Sequence, residues 1–97
     1  MYGTVAKLRV KPGQLEAFKA WAEVAESRPV PGFISTTIYQ MDSDPQNLIL
    51  VIQFTDRASY QANAGNPEQH QFFLQMMGHL EAEPEWNDGE IIAVLPG

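Results

Sequence analysis

The chain has no cysteine. Disulfides, thiolate nucleophiles and cysteine-based metal sites are thereby excluded together, and a reducing, cytoplasmic setting is expected. Basic residues are few: six Lys and Arg stand against twelve Asp and Glu, for a net charge of -6. Such a surface repels a phosphate backbone, and no basic patch offsets it, so no nucleic-acid partner is expected. No apolar run approaches the roughly 20 residues that span a bilayer, and no basic, apolar leader opens the chain. Neither a membrane partner nor secretion is therefore expected. The glycines are isolated, so no G-x-G-x-x-G and no P-loop forms, and no serine sits in a nucleophile elbow. A hydrolase and a dinucleotide enzyme are set aside. The only two histidines, His70 and His79, are nine residues apart on one expected helix. At about 100° per residue they point to opposite sides and cannot share a metal.

What is present is apolar and β-branched. Leu48-Ile49-Leu50-Val51-Ile52 and Ile91-Ile92-Ala93-Val94-Leu95 are apolar on consecutive residues. Both are too short for buried helices, so they read as strands shielded on both faces. The chain offers helices enough for one face of a sheet only. A second copy is the simplest cover for the other, so a homodimer is expected. The length suits one domain, residues 1–97. The late acids Glu81, Glu83, Glu85, Asp88 and Glu90 read as a solvated connection, without calcium-loop spacing.

Alternation from Tyr2 to Val10 predicts a first strand, stopped by Lys11-Pro12-Gly13. A helix follows over Gln14–Ser27, with Leu15, Phe18, Trp21, Ala22 and Ala25 in one stripe. Pro29 and Pro31 end it. A second strand, Phe33–Met41, places Phe33, Ser35, Thr37, Tyr39 and Met41 on one face. It joins the third, Leu48–Phe54, through a polar hairpin loop. Asp56 caps a short helix over Arg57–Ala64, and Asn66-Pro67-Glu68-Gln69 restarts a helix that runs to about Leu80, with Gln69 placed to reach back to the cap. Glu81–Asp88 is expected as a loop and Gly89–Leu95 as the last strand. This order predicts an α+β, ferredoxin-like βαββαβ fold: a four-stranded antiparallel sheet with helices on one face.

Few residues suggest chemistry. Asn63, with Tyr60 and Asn66, brackets the break between the two later helices; in an apolar pocket its amide would hold a carbonyl or an oxyanion. His70 lies in a first helical turn, near the cavity mouth of this fold. Trp86, in a loop between acids, fits either a subunit interface or a pocket wall. Phe72, Phe73, Met76, Met77 and Leu80 form a wide stripe that suits a core or a pocket for a flat apolar ligand. Trp21 falls on the packing stripe of its helix.

Leu8-Arg9-Val10-Lys11-Pro12-Gly13-Gln14 before the first helix, Pro31-Gly32-Phe33 at the second strand and Phe54-Thr55-Asp56-Arg57-Ala58-Ser59-Tyr60 at the second helix carry a resemblance. Pro84-Glu85-Trp86-Asn87-Asp88-Gly89-Glu90 adds to it. In order and spacing the chain resembles the antibiotic biosynthesis monooxygenase (ABM) domains of the dimeric α+β barrel superfamily. The resemblance implies a homodimer whose sheets pack face to face. It also implies a cofactor-independent monooxygenase acting on an aromatic or quinol-like substrate, with no metal. The haem-degrading branch carries Asn on the first strand, Trp on the second helix and His further along. Ala6, Asn63 and Phe73 stand near those places, which argues against haem degradation. The ring-hydroxylating branch uses Asn and Trp on the second helix; Asn63 matches the Asn, and no Trp lies there. On this reading Asn63 or His70 is the catalytic polar group, and Tyr39, Tyr60, Phe72, Phe73, Met76 and Trp86 meet the substrate. The other reading, a non-catalytic dimer that binds a small apolar ligand or serves a stress response, rests on the sparse polar set.

Overall fold

Strand β1 (Tyr2–Arg9) alternates buried and exposed side chains because one of its faces meets helices and the other does not. The computed structural model describes residues 1–97. After β1 come α1 (Leu15–Glu26), β2 (Phe33–Gln40), β3 (Asn47–Phe54), α2 (Arg57–Ala64), α3 (Pro67–Met77) and β4 (Glu85–Glu90). The strands form one sheet in the order β2-β3-β1-β4, antiparallel throughout. This is the split βαβ arrangement that the element order predicts.

Local chemistry sets the joints. Asp56 accepts the Ser59 N–H at 2.8 Å, and Asn66 accepts the Glu68 N–H at 2.8 Å, with Pro67 in the first turn of α3. Each satisfies an otherwise orphaned helical donor. Gln69 does not reach back to the cap as expected: Arg28 Nη2 donates to its Oε1 at 2.7 Å instead. Gly32 adopts φ +79°, and a side chain there would collide with Ser59. Its carbonyl accepts the Thr55 N–H at 2.8 Å, which ties the start of β2 to the start of α2.

The core lies between sheet and helices. Ala6, Leu8 and Val10 of the β1 arm, Leu48 and Leu50 of β3, Phe18 of α1, Met76 of α3, and Leu80, which follows α3 and bridges to Val10, form its buried cluster. The opposite face carries Val5, Ile49, Val51 and Tyr39, of which Val5 and Tyr39 are exposed. No element of the chain lies over them.

Two strands also differ from expectation. The last strand is Glu85–Glu90, not Gly89–Leu95, and Trp86 lies in a strand rather than a loop. The ladder pairs Glu90 with Tyr2, the first residue of β1; one further bond, from Ile91 N–H to the Met1 carbonyl at 2.8 Å, ends it. After that bond the apolar run continues without a strand partner, and Ile92, Val94 and Leu95 are exposed. The second correction is in β2. A bulge between Phe33 and Ser35 breaks the alternation, so Phe33 joins Thr36 and Ile38 on the helix-facing side. Tyr39, opposite Ile49, stays on the outer face.

Candidate functional site

The sheet floor is built of cross-strand rows. Thr36, Ile52, Thr4 and Asp88 form one row, and Ile38, Leu50, Ala6 and Trp86 the next. Four adjacent strands span about 14 Å from first to last. Above this floor α1, α2 and α3 leave a cavity of about 540 Å³, with 15 of its 24 lining residues hydrophobic. That size and lining suit a small, largely apolar ligand.

Seven of the eight site residues expected from the sequence line this one cavity: Tyr60 and Asn63 of α2, His70, Phe72, Phe73 and Met76 of α3, and Trp86 of β4. Tyr39 does not, because it points to the other side of the sheet. The aromatic walls are continuous. His70 stacks on Phe73 with ring centroids 6.2 Å apart, and Phe73 meets Trp86 at 6.5 Å. Neither the Asn63 amide nor the His70 imidazole makes a side-chain hydrogen bond within the chain, so both keep their polar capacity for a ligand. His79 lies apart, its Nδ1 3.1 Å from Gln14 Oε1.

Asp88, Thr4, Thr36, Glu26 and Arg28 also line the cavity and gave no site signal in the sequence. Tyr60 donates its hydroxyl proton to Asp88 Oδ1 at 2.8 Å. Burial, then the hydrogen bond and charge of Asp88, push the Tyr60 phenol well above its ordinary pKa, so it stays protonated as a donor. At the other edge, Thr36 Oγ1 donates to Glu26 Oε1 at 3.0 Å. Burial raises the Glu26 pKa, and the Thr36 bond opposes it. Arg28 lies 4.0 Å from the Phe72 ring centroid and donates from Nε to the Ala25 carbonyl at 3.1 Å, which fastens the end of α1 to α3.

Two buried polar atoms lack partners, Thr4 Oγ1 and Trp21 Nε1. A buried hydroxyl without a partner costs about 1–3 kcal/mol, and an apolar group of the same shape avoids that cost. Thr4→Val is therefore expected to raise the melting temperature by roughly 5 °C in a domain of this size. A lower melting temperature in differential scanning calorimetry would show that the hydroxyl is satisfied in solution.

No group of three or more His, Cys, Asp and Glu is placed to hold a metal ion. No helix is long and apolar enough to cross a membrane. The sequence profile described as antibiotic biosynthesis monooxygenase matches residues 1–75. The chain belongs to the antibiotic biosynthesis monooxygenase family. Among solved structures, it is similar to SnoaB, a cofactor-independent oxygenase from Streptomyces nogalater, with TM-score 0.82 and 17% identity over 99% of this chain and 97% of that one. It also resembles a conserved protein from Methanosarcina mazei Go1, with TM-score 0.77 and 23% identity over 91% and 89%. Rv0793 from Mycobacterium tuberculosis gives TM-score 0.76 and 16% identity over 98% of each chain. At these identities the likeness is one of fold. No curated protein matches the chain. In this family member, the matched region contains β1 through most of α3, and so every expected wall residue except Met76 and Trp86.

Proposed function

We propose that the chain is a small cofactor-independent monooxygenase acting on an aromatic or quinol-like substrate held between sheet and helices, and that it works as a homodimer. The observation that carries this is the cavity: a mainly apolar slot with aromatic walls and nine polar or charged lining residues, of which Asn63 and His70 have no side-chain partners in the chain. Membership in the antibiotic biosynthesis monooxygenase family supports the reaction type. So does the structural likeness to SnoaB, itself a cofactor-independent oxygenase.

An electron-rich phenol or anthrone can reduce dioxygen once it has lost a proton. His70 takes that proton, and the Asn63 amide N–H donates to the oxyanion that forms. In an anthrone the methylene carbon then gains one oxygen atom of O2 and becomes a carbonyl. The other oxygen leaves as water with the two hydrogens of the methylene, so the substrate supplies all the electrons. The protein's task is to bind the flat ring, exclude bulk water and stabilise the anion.

The homodimer follows from the bare outer face. Val5, Val51, Ile49 and Tyr39 lie there together, and the unpaired run from Ile92 to Leu95 adds apolar surface. A second copy packed sheet to sheet covers the outer face, and a stable contact of this kind buries about 800 Å² per partner.

Oxygen uptake with a panel of anthrones, quinols and hydroxyquinones tests the reading, with turnover of at least one class expected. Absence of turnover together with absence of thermal stabilisation by any of them would overturn it. Thermal stabilisation without turnover would support the ligand-binding reading. The lack of any hydrogen-bonded partner that orients His70 or Asn63 favours that alternative.

A further inference from the structure

The β4 edge of the cavity holds a carboxylate whose only side-chain hydrogen bond is to a phenol. Asp88 pairs with Thr4 across the strands and so faces the helices, where it lines the cavity beside Tyr60. Its Oδ1 accepts the Tyr60 proton at 2.8 Å; Oδ2 has no hydrogen bond within the chain, and no cation pairs with the carboxylate. Tyr60 is itself wedged among Tyr2 and Phe54, with ring centroids at 5.2 and 5.4 Å, so its hydroxyl is fixed in place.

We propose that Asp88, oriented by Tyr60, is the acceptor for a hydroxyl group of the cavity's ligand, and that this corner selects phenols over the corresponding ethers. The proposal rests on reading the cavity as an aromatic-ligand site. Its chemistry is one of matched capacity. With Tyr60 donating to one oxygen, the carboxylate presents only acceptor capacity to the cavity. A ligand group that meets it must bring a hydrogen. A phenolic O–H does; a methyl ether or a ketone does not, and an anionic group is repelled. The Asn63 amide can donate as well as accept, so the wall distinguishes a hydroxyl at Asp88 from a carbonyl or oxyanion at Asn63. Tyr60 is a positioning residue here, since it acts through Asp88.

Isothermal titration calorimetry with β-naphthol and its methyl ether tests this on the full chain, without need of turnover. Wild type is expected to bind β-naphthol about tenfold more tightly than the ether, the range of a hydrogen bond to a charged group. Asp88→Asn is expected to bring the two within about threefold of each other while leaving the ether's affinity unchanged. Tyr60→Phe is expected to reduce the preference partway, since the carboxylate remains but is no longer held. Equal affinities in wild type, or a full preference retained in Asp88→Asn, would overturn the assignment and leave the cavity reading standing. An equal loss of both ligands in Asp88→Asn would also overturn it, by marking a structural role. Failure of wild type to bind either compound would overturn the cavity reading and this inference with it.

Discussion

Asn63→Ala is expected to lower kcat about a hundred- to a thousandfold, the loss seen when one donor to a developing oxyanion is removed. The reason lies in where Asn63 sits. It is in the last turn of α2, where the backbone stops at Gly65 and the chain turns into α3. Its carbonyl accepts the Asn66 N–H at 3.0 Å, so the backbone is held while the side-chain amide is left unpaired. The backbone holds Asn63 at the cavity wall, and its unpaired amide is free to donate to an anion that exists only after deprotonation. The effect should therefore fall on kcat, with KM little changed, because the neutral substrate gains less from the amide than the anion does. Steady-state oxygen consumption separates the two. A rise in KM at constant kcat would place Asn63 in ground-state binding only. The small side chain left behind faces the cavity rather than the core, so the melting temperature should change little.

Val51→Asp is expected to turn the proposed homodimer into monomers at micromolar concentration. Val51 stands at the middle of the outer sheet face, opposite Val5 on one side and Thr37 on the other. Packed against a second copy, a carboxylate there would be buried without a partner, at a cost of several kcal/mol for each copy. Every 1.4 kcal/mol is a tenfold change in dissociation constant, so a moderate dimer cannot survive two such charges. Inside a single chain the same side chain faces solvent, so the sheet should persist. Sedimentation velocity, with far-ultraviolet circular dichroism as the check on folding, measures both. A dimer that survives the substitution would mean that the outer face is not the interface.

Much of this architecture was legible in the chain, for identifiable reasons. The caps at Asp56 and Asn66 are short-range signals, decided by residues two or three positions away. The stripe Phe72, Phe73, Met76 follows helical period and so finds one cavity wall directly. Local propensity favours a last strand at Gly89–Leu95, whereas the ladder with β1 takes Glu85–Glu90. That difference also hid Asp88. In a strand Trp86 and Asp88 share a face by simple alternation, whereas in a loop no such relation exists. Tyr39 lies on the outer face rather than in the cavity wall for a related reason. A one-residue bulge near Phe33 reverses which residues of β2 share a face with it, and no local signal marks the bulge. Thr4 and Trp21 each fell on an apolar-looking stripe; their unpaired polar atoms emerge only from three-dimensional packing.

The claim on which the account turns is that this cavity lets an aromatic substrate react with dioxygen and keep one of its atoms. Turnover of the best substrate from the uptake panel under isotopically heavy dioxygen, with the product read by mass spectrometry, measures this directly. One heavy oxygen per product molecule, with the other recovered in water, is the predicted result. Product carrying no heavy oxygen, or two, would contradict it.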